Sequence, residues 1–238
     1  MNINSNKYVF TFALIICLVC AVMLSAITEG LRTKQELNAE LEVKKNILKA
    51  VKLQSPLGLK ATPQEILNAY QSKIEEAVID VDGNLIENRK PDSIKDGEKV
   101  YPLYIYREAN SIISYAFPIF GQGLWSTLYG YFALETDAVT VRGITFYKHG
   151  ETPGLGAEIE KDWFQDNFKG KSIWSEKDRK LTPIVVVKGV AANQYKDDDL
   201  KSRVDGITAA TLTANGVTDL LDRWLKIYDH YFSKIRKT

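Results

Sequence analysis

The spacing of apolar positions divides the chain into three textures. From Tyr8 to Thr28, "YVFTFALIICLVCAVMLSAIT" carries no charged residue over 21 positions. At ~1.5 Å of rise per residue this stretch makes a helix of roughly 31 Å, enough to cross the ~30 Å hydrocarbon core of a bilayer. It predicts a single transmembrane anchor, residues 1–30, in contact with membrane lipid. A cleaved signal peptide is the competing reading, since "MLSA" places small residues near Ser25 and Ala26. A signal's apolar region is usually only about 7–15 residues, shorter than this one.

The second texture is helical and amphipathic. In "LRTKQELNAELEVKKNILKAVKL" the apolar positions Leu31, Leu37, Leu41, Ile47, Leu48 and Val51 recur close to the helical period with charges between them, which predicts a stalk continuing the membrane helix. Ser55, Pro56 and Gly58 are expected to break it. A further helix is predicted from Pro63 to about Ala77 with Thr62 as its cap, and "VIDVDGNLIE" reads as a hairpin about Asp82-Gly83. Residues 31–100 are thus read as stalk and connecting region.

From Tyr101 the pattern changes to short runs rich in aromatic and β-branched residues: "YPLYIYRE", "SIISYAFPIF", "TLYGYFALE", "AVTVRGITFYKH" and "TPIVVVKG". The spacing from Phe132 to Val141 across "ETD" is that of an antiparallel hairpin. Residues 101–238 therefore read as an α+β domain built on an antiparallel sheet and closed by a C-terminal helix from about Leu212 to Ile235.

Charge and cysteine content narrow the chemistry. Among 238 residues the formal net charge is +1, with lysine and arginine dispersed among acidic residues, so no electrostatic footprint for nucleic acid exists. Cys17 and Cys20 both fall inside the apolar span, where a C-x-x-C pair has no further ligands nearby and reads as small apolar residues. His149 and His230 show no ligand spacing, and no protein-bound metal is expected. Lys7 precedes the span while Arg32, Lys34, Lys44 and Lys45 follow it, so a count of positive charges places the large domain in the cytoplasm. That rule weakens for long translocated domains.

Two small-residue motifs interrupt the strands. In "HGETPGLGAEIE", Pro153-Gly154 favours a type II turn, and Gly154 and Gly156 allow a backbone to approach a ligand closely. The segment fails as a dinucleotide fingerprint, because "GLGAEI" lacks the third small residue and no βαβ unit surrounds it. A tight turn without a ligand explains the same composition. Glu151 and Glu158 are not placed across a scissile bond, and no catalytic residue is assigned.

The second motif, "VDGITAATLTANGV", combines an Asp205-Gly206 turn with Thr208 as a candidate helix cap. Ala209 and Ala210 add no bulk, so unsatisfied amides and the helix dipole would favour a phosphate, with the Thr211 hydroxyl beside it. A capped helix whose alanines merely pack is the alternative. No histidine or lysine lies close enough in sequence to activate a nucleophile.

At these residues "DGITAATLT" resembles the flavinylation signature of the FMN-binding domain family. "HGETPGLGAEI" and "GLWSTLYGYFAL", which contains Trp125, resemble that family's other hallmarks. Their order is similar to that in the C subunits of bacterial Na+-translocating NADH:quinone oxidoreductases, over roughly Tyr101 to Trp224 plus the anchor. The resemblance implies that Thr211 is esterified to the FMN phosphate, with Thr208, Ala210, Leu212 and Thr213 at the phosphate end after the Asp205-Gly206 turn. It implies that Glu151, Thr152, Gly154, Leu155 and Gly156 border the flavin. Thr208 and Ala209 stand where serine and glycine are usual, and Ala209 would leave less room for close backbone approach.

The same resemblance implies an electron relay from an iron-sulfur centre towards a flavin on a neighbouring subunit, with no NADH or quinone site on this chain. Its implied partners are the other integral-membrane subunits and, during maturation, a flavin transferase. It implies an inner-membrane protein whose FMN domain is extracytoplasmic, against the lysine count. The homologous electron-transport G subunits of ferredoxin:NAD+ oxidoreductases are the nearest alternative, and "DWFQDNFKGKSIW" favours the first assignment. An anchored extracytoplasmic binding module without redox chemistry is the reading from another class.

Overall fold

The computed structural model describes residues 6–53 and 61–236. The helix break expected at Ser55, Pro56 and Gly58 lies outside these. Contacts divide the chain into Met1–Glu42 and Val43–Thr238. Residues 6–42 of the first unit are helical, within α1 (Asn6–Ala50), which is long and apolar enough to cross a membrane; the apolar side chains from Val9 to Ile27 are exposed and both cysteines are free.

α1 ends without glycine or proline. Lys52 takes a left-handed conformation (φ 53°), its amide donates to the Lys49 carbonyl at 3.0 Å, and the Leu53 amide donates to the Leu48 carbonyl at 3.1 Å. This is the Schellman arrangement, closed by burial of Leu48 and Leu53 in one cluster.

In the second unit, α2 (Pro63–Lys73) begins where the sequence predicts. The Thr62 hydroxyl accepts from the Glu65 amide while the Glu65 carboxylate accepts from the Thr62 amide. It stops four residues short of Ala77, because Ile74 to Ala77 enter β1 (Ile74–Asp80). Pairing with Tyr106 through Leu103 outweighs local helix preference there. The turn at Asp82-Gly83 forms, with Gly83 donating to the Asp80 carbonyl at 3.1 Å, but only one bridge follows, Ile79 to Leu85. The ladder of β1 goes to β2 instead.

The sheet continues through β2 (Val100–Glu108), β3 (Ser111–Gln122), β4 (Thr127–Glu135) and β5 (Val141–Lys148) as an antiparallel meander in order β1-β2-β3-β4-β5. Its first strand therefore comes from the segment read as connecting region. Beyond it come α3 (Asp162–Asp166), β6 (Trp174–Ser175), β7 (Lys180–Leu181), β8 (Val185–Val186), α4 (Asp197–Leu200), β9 (Arg203–Val204) and α5 (Thr211–Arg236). The run "TPIVVVKG" does not join the main sheet. Its Val185 and Val186 pair in parallel with Arg203 and Val204.

Strand alternation gives each sheet face its own cover. Leu103, Ile105, Phe117, Ile119, Phe132 and Leu134 point to a core shared with α5, while Tyr104, Tyr106, Ala116, Tyr131 and Ala133 point to Ile47, Leu48, Ile66 and Tyr70 on the other side. The result is α+β. In α5 the buried positions Val217, Leu220, Leu221, Trp224, Leu225, Tyr228 and Phe232 follow the helical period and form the stripe that meets β3.

Tyr228 stacks on Phe117 with ring centroids 4.0 Å apart, and its hydroxyl donates to the Pro102 carbonyl at 2.6 Å. Tyr228→Phe removes that donor without creating a cavity. Denaturant unfolding should show a loss of about 1–3 kcal/mol with an unchanged slope. An unchanged midpoint would show that the hydroxyl contributes nothing.

Candidate functional site at the start of the C-terminal helix

The chain enters α5 through a turn rather than a threonine cap. The Ala210 amide donates to the Ile207 carbonyl at 3.2 Å and Ala209 has φ 59°. A left-handed residue cannot continue a helix, so α5 begins at Thr211, one residue from the expected Leu212, and Thr208, three residues before it, is not its cap. Thr208 is an exposed turn residue and shares no helix face with Thr211. Ala209 also occupies a position whose backbone conformation favours glycine, which is a stronger consequence than reduced room for approach.

The first helical bond runs from the Ala214 amide to the Ala210 carbonyl at 3.0 Å. Ala210 is thereby the N-cap residue, and its side chain has no oxygen to offer the amides of Leu212 and Thr213. Thr211 and Leu212 are exposed, Leu212 at 60%. A cleft of about 270 Å³ opens beside this start, lined by Val187, Lys188, Gly206, Thr208, Thr211 and Asn215 among others. An exposed hydroxyl, uncapped helix amides and the Lys188 cation suit a phosphate group.

Asp205 does not face this cleft with a free carboxylate, since its Oδ1 accepts from the Ala191 amide at 2.7 Å. Lys188 and Asn215 carry no sequence signal that would have singled them out; their place on the cleft wall comes from tertiary packing.

The glycine-turn motif forms as expected at Pro153-Gly154. Leu155 donates to the Thr152 carbonyl at 3.1 Å, and Gly154 has φ 75° with open space around it, as a type II turn requires. Thr152 is exposed, and Leu155 (39%) and Trp125 (69%) are exposed apolar side chains. Glu151 is different, being 5% exposed. Its Oε1 accepts from the amides of Trp125 (2.9 Å) and Ser126 (3.4 Å), and its Oε2 accepts from the Thr213 hydroxyl at 2.5 Å. Its own amide donates to His149 Nδ1 at 3.3 Å.

Burial pushes the Glu151 carboxyl up. Hydrogen bonds from the Thr213 hydroxyl and the amides of Trp125, Ser126 and Leu124 outweigh that effect and hold it below its ordinary value. Glu151 and Thr213 are thus committed to the protein's own interior, and Gly156 is buried beside them. The sequence-predicted residues are accordingly not all brought together: Gly206, Thr208 and Thr211 line the cleft, Glu151, Gly156 and Thr213 form a buried junction, Trp125, Thr152, Gly154, Leu155 and Leu212 are exposed outside both, and Asp205 and Ala210 do not line the cleft. That junction joins the glycine turn to the start of α5.

Comparison with known proteins agrees with this architecture. Residues 123–226 match the FMN-binding domain family, a range holding the β3–β4 loop, the glycine turn and the start of α5. The C subunit of the Na(+)-translocating NADH-quinone reductase of Vibrio alginolyticus is 33% identical, the match covering 99% of this chain and 97% of the relative. The corresponding Yersinia pestis protein is 31% identical over 94% of this chain and 90% of the relative. A crystal structure of the same protein from Parabacteroides distasonis superposes with a TM-score of 0.72 at 28% identity, covering 85% of this chain and 97% of that one. Shewanella oneidensis NqrC, 23% identical, shares the fold with a TM-score of 0.67. The chain belongs to the family of Na(+)-translocating NADH-quinone reductase C subunits.

The left-handed Ala209 generates a direct test. Glycine there relieves the Cβ clash but gives back some unfolded-state entropy, so Ala209→Gly should stabilise the protein by about 0.5–1 kcal/mol. A lowered unfolding midpoint would contradict the assigned backbone conformation.

Proposed function

We propose that this chain carries FMN esterified through its phosphate to the Thr211 hydroxyl. It serves as the electron relay between an iron-sulfur centre and a neighbouring subunit's flavin in a sodium-translocating NADH:quinone reductase. The observation that carries this reading is the exposed Thr211 at the first position of α5, on a cleft and behind an N-cap residue without a side-chain oxygen. Of the three hydroxyls in the motif, that of Thr213 is buried and bonded to Glu151, whereas those of Thr208 and Thr211 are accessible. Family membership supports the choice of the threonine after Ala-Ala.

Esterification by free phosphate is unfavourable in water, so the donor must already hold FMN in an anhydride, as a flavin dinucleotide such as FAD does. A flavin transferase would join Thr211 Oγ to phosphorus as the P–O–P bridge breaks, releasing AMP and the hydroxyl proton. The resulting phosphodiester would keep one negative charge for the amides of the α5 first turn, an interaction of about 0.3–1 kcal/mol, with Lys188 lining the same cleft. FMN, when bound, supplies one- and two-electron redox chemistry. The protein's own groups would hold its phosphate, and Leu155, Leu212 and Trp125 are exposed apolar surface that would receive a flavin ring. No NADH or quinone site is needed on this chain.

Thr211→Ala tests the assignment, because alanine is a good helix former and only a hydroxyl and a methyl are lost. The protein should fold and insert but lack covalent flavin, and membranes containing it should oxidise NADH without reducing quinone. Thr211→Ser should recover part of the modification. Wild-type flavin content in the alanine variant would sink the assignment.

The domain is placed on the extracytoplasmic side of the inner membrane, where flavin transfer of this type is expected, in spite of Arg32, Lys34, Lys44 and Lys45. C-terminal fusions to alkaline phosphatase and to a cytoplasmic fluorescent reporter read this directly. Active phosphatase is expected. A fluorescent reporter with silent phosphatase would reverse the orientation.

A further inference from the structure

The buried junction beneath the cleft explains more than loop closure. Three segments distant in sequence meet on one carboxylate: the β3–β4 loop through the Trp125 and Ser126 amides, the glycine turn through Glu151 itself, and α5 through the Thr213 hydroxyl. The slot is shaped for that carboxylate. A Cβ on Gly123 would lie 2.6 Å from Glu151 Oε1, and one on Gly156 would lie 2.5 Å from Thr213 Oγ1 and 2.7 Å from Glu151 Oε2. The glycine at 156 therefore makes room for this internal contact rather than for a ligand.

Helix geometry connects the junction to the cleft. Residues on an α-helix are about 100° apart, so Thr213 and Thr211 point roughly 200° apart around α5. Drawing Thr213 inward to Glu151 turns Thr211 outward, which matches their opposite exposure. We propose that Glu151 is a positioning residue: through Thr213 it fixes the rotation of the first turn of α5 and so presents the Thr211 hydroxyl for flavin transfer. It also ties the backbone of Trp125 to the same junction. The inference rests on Thr211 being the FMN acceptor, and it removes Glu151 and Thr213 from the set of direct flavin contacts.

The test uses the full-length apo chain in detergent, incubated with flavin transferase and FAD, with the initial rate of covalent flavin incorporation followed by in-gel fluorescence. Thr213→Val is nearly isosteric and deletes the hydroxyl, whereas Thr213→Ser and Glu151→Gln each keep a hydrogen bond at this contact. Loss of positioning by even an ångström is worth orders of magnitude in a transfer step, so Thr213→Val should slow incorporation roughly tenfold or more. Thr213→Ser and Glu151→Gln should stay within about threefold of wild type on the same reasoning. Gly156→Ala perturbs the contact from the other side and should also slow the reaction, which keeps the test open if the valine variant misfolds by circular dichroism.

Wild-type rates in Thr213→Val and Gly156→Ala would overturn the inference, as would a Thr213→Ser protein as slow as Thr213→Val. Thr211→Ala run in parallel separates the two layers. Continued flavin incorporation there defeats the acceptor assignment, whereas its loss beside unaffected junction variants defeats only the role of Glu151.

Discussion

The rotation of α5 about its own axis is the constraint on which the site depends. Along most of the helix, burial of Val217, Leu220, Leu221, Leu225 and Phe232 against the sheet sets that rotation. Two directional bonds sharpen it, from Trp224 Nε1 to the Phe120 carbonyl (2.7 Å) and from the Tyr228 hydroxyl to the Pro102 carbonyl (2.6 Å). At the N-terminal end, where the apolar stripe runs out, the Thr213 hydroxyl on Glu151 takes over. Hydrogen bonds to charged groups contribute about 1.5–3 kcal/mol. The junction is therefore favourable only in one geometry, and that geometry leaves Thr211 outside.

The approach to the helix shows an opposite economy. Ala209 is strained by its left-handed backbone, and Ala210 leaves the helix amides without a side-chain acceptor. Both features weaken the isolated protein slightly. The second suits the proposed phosphate, since an oxygen-bearing cap would compete with it for the same amides. Trp125, Leu155 and Leu212 are exposed apolar side chains, surface that the proposed flavin would cover.

Much of this is legible in the sequence, for reasons that differ by residue. The strands at Tyr104, Phe117, Phe132 and Ile144 announce themselves by aromatic and β-branched density, and Thr62 before Pro63 reads as a helix cap. The Pro153-Gly154 turn follows from backbone chemistry alone. Where the sequence misleads, tertiary contacts decide. Ile74 to Ala77 leave their helix for a strand because Tyr106 through Leu103 offer a partner, and Val185 and Val186 pair with β9 although they resemble a strand of the main sheet. The end of α1 carries no glycine signal because Lys52 adopts the left-handed conformation. The expected extent of α5, Leu212 to Ile235, is within a residue of the observed one at each end, whereas the cap reading of Thr208 fails because a threonine before two alanines has the composition of a cap and, here, the conformation of a turn. The burial of Glu151 has no local signal, since its partners Trp125, Ser126 and Thr213 lie 26, 25 and 62 residues away.

The central claim is that Thr211, and not a neighbouring hydroxyl, holds the flavin. Proteolysis of the wild-type chain coexpressed with a flavin transferase, followed by fragmentation mass spectrometry of the peptide spanning Ile207 to Asn215, locates the modification to one residue. The predicted result is an FMN phosphodiester on Thr211 with unmodified Thr208 and Thr213. FMN on Thr208, or a peptide without any flavin, would contradict it.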